Sequence, residues 1–234
     1  MIEFRAEQSA ATYRWTFDNI LAALPMPGTK MFSTLCRELG PYGISPTGIS
    51  FESPTSFLSD VVYRVGLLDG RVALRISYSG FELIVDSLLQ GDDELLVKIA
   101  DSVFVILREV DANASLGKPE VGLTSHLTLL TTNLDAFLRE QLPKANGQLN
   151  FIPEAFAYGI QPKDSTDKRE FRVIVMRSVR FKNAVFINFV LASKDPESPA
   201  RSAEVMSAES ERTLALLGLK PGLDITTKEV GNDG

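Results

Sequence analysis

The chain has 234 residues, 44% hydrophobic and 23% charged, with a formal charge of −6 and a pI near 5.0. That length forms one large domain or two small ones and buries a core without covalent staples. The single cysteine, Cys36, excludes an intramolecular disulfide and a multi-cysteine metal site, and the acidic balance argues against general nucleic-acid binding.

Residues 1–10 are polar and show no pattern. Tyr13, Trp15 and Phe17 alternate with Arg14, Thr16 and Asp18, which predicts a strand with an aromatic face. Thr29 caps an expected helix over 30–39, with Met31, Phe32, Leu35 and Leu39 on its apolar side, and Gly40-Pro41 stops it. A short strand is expected at 48–52.

The most strongly patterned stretch follows. Val61, Tyr63, Val65 and Leu67 recur at every second position, as do Val72, Leu74 and Ile76, then Phe81, Leu83 and Val85. Each set gives a strand one apolar and one wet face. Asp69-Gly70 and Ser79-Gly80 supply the turns, so 61–85 reads as an antiparallel meander. Asp92 is read as the N-cap of a helix reaching Val110, with Asp93 and Glu94 in its first turn. Leu96, Ile99, Ala100, Val103 and Leu107 repeat at helical spacing, and Phe104, Val105 and Ile106 widen the stripe almost all round. With Lys98, Asp101 and Arg108 inside it, this run is too short and too charged to span a membrane.

Small and polar residues over 111–119 read as a linker. A strand over 121–130 comes next, then a helix capped by Asn133 and running to Leu142. A further strand is expected within 149–160, then a hairpin from Phe171 that turns at Lys182-Asn183 and returns over 184–192. That return strand is apolar on both faces, as a central strand would be. A last helix runs from about Pro199 to Leu217, ended by Gly218 and Pro221, and a polar tail closes the chain.

These elements predict an α+β fold of antiparallel sheets with packed helices. The order strand, short helix, strand, hairpin, long helix occurs twice, which divides the chain into halves at 1–112 and 119–223 with a tail at 224–234. Phe17 and Leu127, Val61 and Phe171, and Leu107 and Leu217 are each 110 residues apart. The pattern fits a duplication, and equally fits chance reuse of one α+β grammar.

Signatures of catalysis are missing: there is no Walker loop, no dinucleotide fingerprint, no H-E-x-x-H and no G-x-S-x-G. One histidine, His126, stands on a strand and reads as a hydrogen-bonded or exposed residue ahead of a base. No catalytic residue, metal ligand or cofactor is assigned. The local anomaly is basic. Lys168, Arg169, Arg172, Arg177, Arg180 and Lys182 stand against Asp167 and Glu170, an excess of +4 in a chain of −6. Strand parity places Arg172, Ser178, Arg180 and Lys182 on one face with Ile174 and Met176 among them.

The expected function is therefore a non-catalytic, soluble protein acting through contacts with another protein, as an assembly subunit or adaptor. Arg172, Arg177, Arg180 and Lys182 are its candidate partner-binding residues. Two readings stay open beside it: nucleic-acid or anionic-ligand binding through the 168–182 hairpin, and a small-molecule site or unfamiliar active site near His126. The N-terminus has no basic segment followed by an apolar one, and with the lone cysteine this points to the cytoplasm. Self-association is also kept open.

Overall fold

A computed structural model describes residues 1–19, 21, 29–44, 46–52, 61–89, 91–111, 114–115, 117–141, 154–160 and 166–222. The molecule is built around β1 (Ile2–Thr16), a 15-residue strand at the middle of a ten-stranded sheet. Along one edge it pairs antiparallel with β6 (Lys118–Leu129). Along the other it pairs with β5 (Gly80–Val85) and, through Ile2–Phe4, in parallel with the short β10 (Leu219–Pro221). Residues 2–10, patternless in sequence, thus belong to the central strand. A register shift between Ala6 and Gln8 breaks the parity that would have revealed them.

Outward from β5 come β4 (Val72–Ser77), β3 (Val62–Leu67) and β2 (Ile49–Glu52). Outward from β6 come β9 (Ala184–Ser193), β8 (Arg169–Arg177) and β7 (Ala155–Ile160). Four helices accompany them: α1 (Thr29–Leu39), α2 (Asp92–Val110), α3 (Leu134–Glu140) and α4 (Pro199–Leu216). The fold is α+β, as expected.

Both halves follow one order. In each, the inner strand leads into a helix, the outer strands are laid down from edge to centre, and a long helix follows. The strand order equates β3 with β7, β4 with β8 and β5 with β9. The uniform spacing of 110 does not respect this, because Val61 abuts β3 whereas Phe171 lies in β8. Helix α1 begins at Thr29, which is therefore its first residue and not its N-cap, and the start of the 149–160 strand falls outside what is described.

Trp15, Tyr13, Leu83, Leu74 and Val65 on one half, and Val121, Ile187 and Val173 on the other, all project to one face and share a single core with the helices. Fully burying each such side chain contributes about 1.5–3 kcal/mol. The alternate residues of the same strands project to the opposite face, which no described helix covers. The halves are thus joined by one sheet and one core.

Three local expectations change. Helix α2 is entered from Gly91, whose φ is 87°, so Asp92 is its first residue and not its N-cap. The Asp92 carboxylate instead accepts from the Leu89 amide at 2.8 Å and from Arg71 at 3.2 Å. Val105 faces outward and is exposed, so the stripe of α2 is narrower than its composition implied. The β3–β4 turn holds four residues, 68–71, with Leu68, Asp69 and Gly70 all at positive φ. By contrast, Asn133 caps α3 as predicted, accepting from the Ala136 amide at 2.8 Å.

Candidate functional site

The basic hairpin is largely neutralised from within. Lys168 pairs with Asp195 at 3.2 Å, Arg169 lies against Asp167 with Glu197 beyond it at 3.9 Å, and Arg177 reaches Asp135 of α3 at 2.7 Å. Strand β8 ends at Arg177, and 178–183 form a loop, so parity does not extend to Arg180 and Lys182. Arg172 is exposed on the uncovered face, between Val190 and Gly159. Arg180 folds back to donate to Gln8 Oε1 of β1 at 2.8 Å. Lys182 is exposed at the loop tip. The four candidate residues are therefore split: Arg177, held by Asp135 of α3, and Arg180 line one cleft, while Arg172 and Lys182 are exposed and not part of its lining.

That cleft, of about 690 Å³, lies at one end of the uncovered face. Ala10, Thr124, Met176 and Phe186 lie along it, with His126 and Asp86 beside them. His126 Nδ1 lies 2.9 Å from Ser178 Oγ, and its ring leans on Phe181 and Phe186 with centroids 5.4 and 5.0 Å away. Ser178 is buried, and its Oγ already accepts from the Arg180 and Phe181 amides at 3.2 and 3.1 Å. With both lone pairs engaged, the hydroxyl proton is donated to His126 Nδ1, which places the ring proton on Nε2. The pair thus anchors the β8–β9 loop to β6.

Burial and then the Arg180 guanidinium hold the His126 pKa below its ordinary 6.5. Between the lowered value and 6.5 the unfolded chain binds more protons than the folded one, so stability rises with pH there and the contribution is complete above 6.5. His126→Phe is expected to flatten this slope. Urea unfolding at pH 5.5 and 7.5 checks it: the wild type should lose more stability on acidification than the variant, and equal losses would remove His126 from the account.

The rest of the uncovered face has two characters. Arg64, Arg75, Glu82, Arg14 and Glu120 stand side by side across β3, β4, β5, β1 and β6. They are cross-linked by Arg14–Glu82 at 2.6 Å, Arg75–Glu82 at 3.4 Å and Arg14–Glu120 at 3.5 Å. On β8 and β9 the face turns apolar. Met176 pairs with Phe186, Arg172 with Val190, and Ile174 with Asn188. Gly122 and Thr124 lie on one side of this patch, and Ala155 and Ala157 on the other. Ile174, Phe186 and Val190 are half-buried and Met176 is 36% exposed.

The signal for this patch was present in the sequence as the two-faced apolarity of 184–192. It was read as burial on both sides, whereas helices cover only one. Among the described residues no group of three or more His, Cys, Asp or Glu side chains is placed to hold a metal ion, and no helix is long and apolar enough to cross a membrane. No protein-family model and no curated protein matches the chain.

Proposed function

We propose that this protein is non-catalytic and acts by binding a different protein across the uncovered face of its sheet, at the patch formed by Ile174, Met176, Phe186 and Val190. One observation carries the reading: the second face of β8 and β9 groups Ile174, Met176, Phe186 and Val190 around Asn188, yet the described helices cover only the other face. An antiparallel sheet that meets only water on its second face alternates apolar with polar side chains. A contiguous apolar patch with a polar rim is the usual mark of a protein interface.

The rim narrows the partner. Arg172 beside Val190, and Arg180 beside Met176 and Phe186, border the patch, so the complementary surface is apolar at its centre and acidic at its edge. Two copies joined through this patch by a twofold would bring these cations against each other, which disfavours the homodimer. Nucleic acid is disfavoured by the internal pairing of Lys168, Arg169 and Arg177, since affinity for phosphates rests on cations available to replace counterions. The half-buried Cys36 suits a reducing, cytoplasmic setting.

The test is affinity capture from the native cell with and without nuclease, using the wild type and an Ile174→Glu/Val190→Glu variant shown to be folded by thermal unfolding. A near-stoichiometric, nuclease-resistant protein should be captured by the wild type, with at least about a tenfold loss on the variant, equivalent to 1.4 kcal/mol. Equal capture by the folded variant, loss of all capture with nuclease, or capture of nothing but a second copy would each overturn the proposal.

A further inference from the structure

On the helix-covered side, α2 and α4 pack against each other above β1 and β6 without closing the space between them. A cavity of about 520 Å³ remains, within the range of small-molecule sites. Ala11, Tyr13 and Val121 make its floor, and Val97, Ala203 and Met206 its walls. It stays open because α4 presents small side chains there, Ala200, Ala203, Ser207 and Ser210. The patch proposed above lies on the other face of the sheet, so this cavity stands apart from that reading.

Its polar groups are few and predominantly of one sign. Asp93, Glu94 and Glu204 line it together with a single cation, Lys98. Glu204 is paired with Arg201 at 2.7 Å, and Asp92 next door is held by Arg71, but Asp93 and Glu94 have no ion pair among the described residues. Tyr13 is 4% exposed, and no hydrogen bond to its hydroxyl is seen among the described residues. Burial, and then the nearby Asp93 charge, push its phenol well above the usual range. Burial, and then repulsion from Asp92, raise the Asp93 carboxyl. The Tyr13 side chain is buried in the apolar lining while the Asp93 and Glu94 carboxylates are exposed, so the chamber combines an apolar interior with an acidic mouth.

We infer that this cavity binds a small amphiphile with an apolar body and one cationic amine, the ammonium lying at Asp93 and the Tyr13 hydroxyl and the hydrocarbon between α2 and α4. A carboxylate headgroup would meet Asp93 and Glu94 with Lys98 alone to offset them and is disfavoured on charge. A neutral alcohol could reach the Tyr13 hydroxyl but would gain nothing from the acidic mouth.

Octylamine, 1-octanol and octanoate share one apolar body and differ in the head. Titration calorimetry with the full chain should show octylamine binding about tenfold or more tighter than octanoate, a difference of 1.4 kcal/mol. Asp93→Asn changes an exposed side chain and leaves the core intact. It should weaken octylamine about tenfold while leaving 1-octanol unchanged. Ala203→Trp should fill the chamber and abolish binding of all three. Octanoate binding as tightly as octylamine, octylamine affinity unaltered by Asp93→Asn, or no binding by any of the three would overturn the inference.

Discussion

Trp15→Ala is expected to lower the unfolding free energy by about 3–5 kcal/mol, the range for truncating a large buried aromatic side chain. Trp15 is fully buried at the inner end of the central strand. Its ring stacks on Phe81 of β5 at 5.1 Å and meets the edge of Phe104 of α2 at 5.9 Å. The indole N–H donates to the Glu197 carbonyl at 3.2 Å, and the Glu197 amide in turn donates to Gly117 at 3.2 Å. One side chain therefore ties β1 to the first half's sheet, to the first long helix and to the segment that launches α4. Its removal leaves a cavity and an unpaired carbonyl. Trp15→Phe keeps most of the packing and loses the hydrogen bond, so a cost of about 1 kcal/mol is expected on top of the smaller ring's lost area. Guanidinium unfolding reads both. The alanine variant should also melt about 10 °C lower, and a loss below about 1 kcal/mol would contradict the central placement of Trp15.

Gly80→Ala is expected to be of comparable severity, about 3 kcal/mol or more, for a different reason. Gly80 opens β5 opposite Thr16 of β1. A Cβ there would lie 1.9 Å from the Trp15 carbonyl oxygen and 3.0 Å from its carbon. The obstacle is backbone, so the β1–β5 ladder itself must move. Gly66→Ala in β3 is the control, because a Cβ at that position meets nothing within 4 Å. It should change stability by no more than about 0.5 kcal/mol. If the two alanine variants unfold at the same denaturant concentration, the close approach of β5 to β1 is wrong.

How much of this was legible follows from what each signal depends on. The meander and α2 were readable because their apolar spacing is long and regular, and α4 because Gly218 and Pro221 mark its end. Strands over 62–67, 72–77 and 80–85 and helices over 92–110 and 199–216 match their expected positions closely. The Asn133 cap was readable because its hydrogen bond closes within three residues. The first ten residues were not. Their strand is held by Leu127, Leu129 and Leu219, more than a hundred residues away, and a bulge scrambles their parity. The turn at Asn183 was seen as a turn, but its work was not. Asn183 donates to the carbonyls of Leu129 and Thr132 at 2.7 and 3.0 Å and accepts from the Leu134 amide at 2.8 Å, fastening β6 and α3 to the β8–β9 loop.

The candidate sites divide along the same line. The excess of basic residues near 168–182 was visible, but its neutralisation by Asp135, Asp195 and Glu197 was not, since those carboxylates come from other elements. His126 was visible as the lone histidine, while its partner Ser178 lies 52 residues on.

The amino-acid sequence by itself determined the α+β class and the phase of the meander strands and of α2. Those are properties of local periodicity, which fixes which side of a helix or strand is apolar without reference to any neighbour. Only the tertiary structure decided that the two halves share one sheet through β1 and β6, and that every described helix lies on the same face, so that none of them covers the second face of β9. Periodicity says that a face must be buried. What covers it is decided by chain topology, through contacts between residues far apart in sequence.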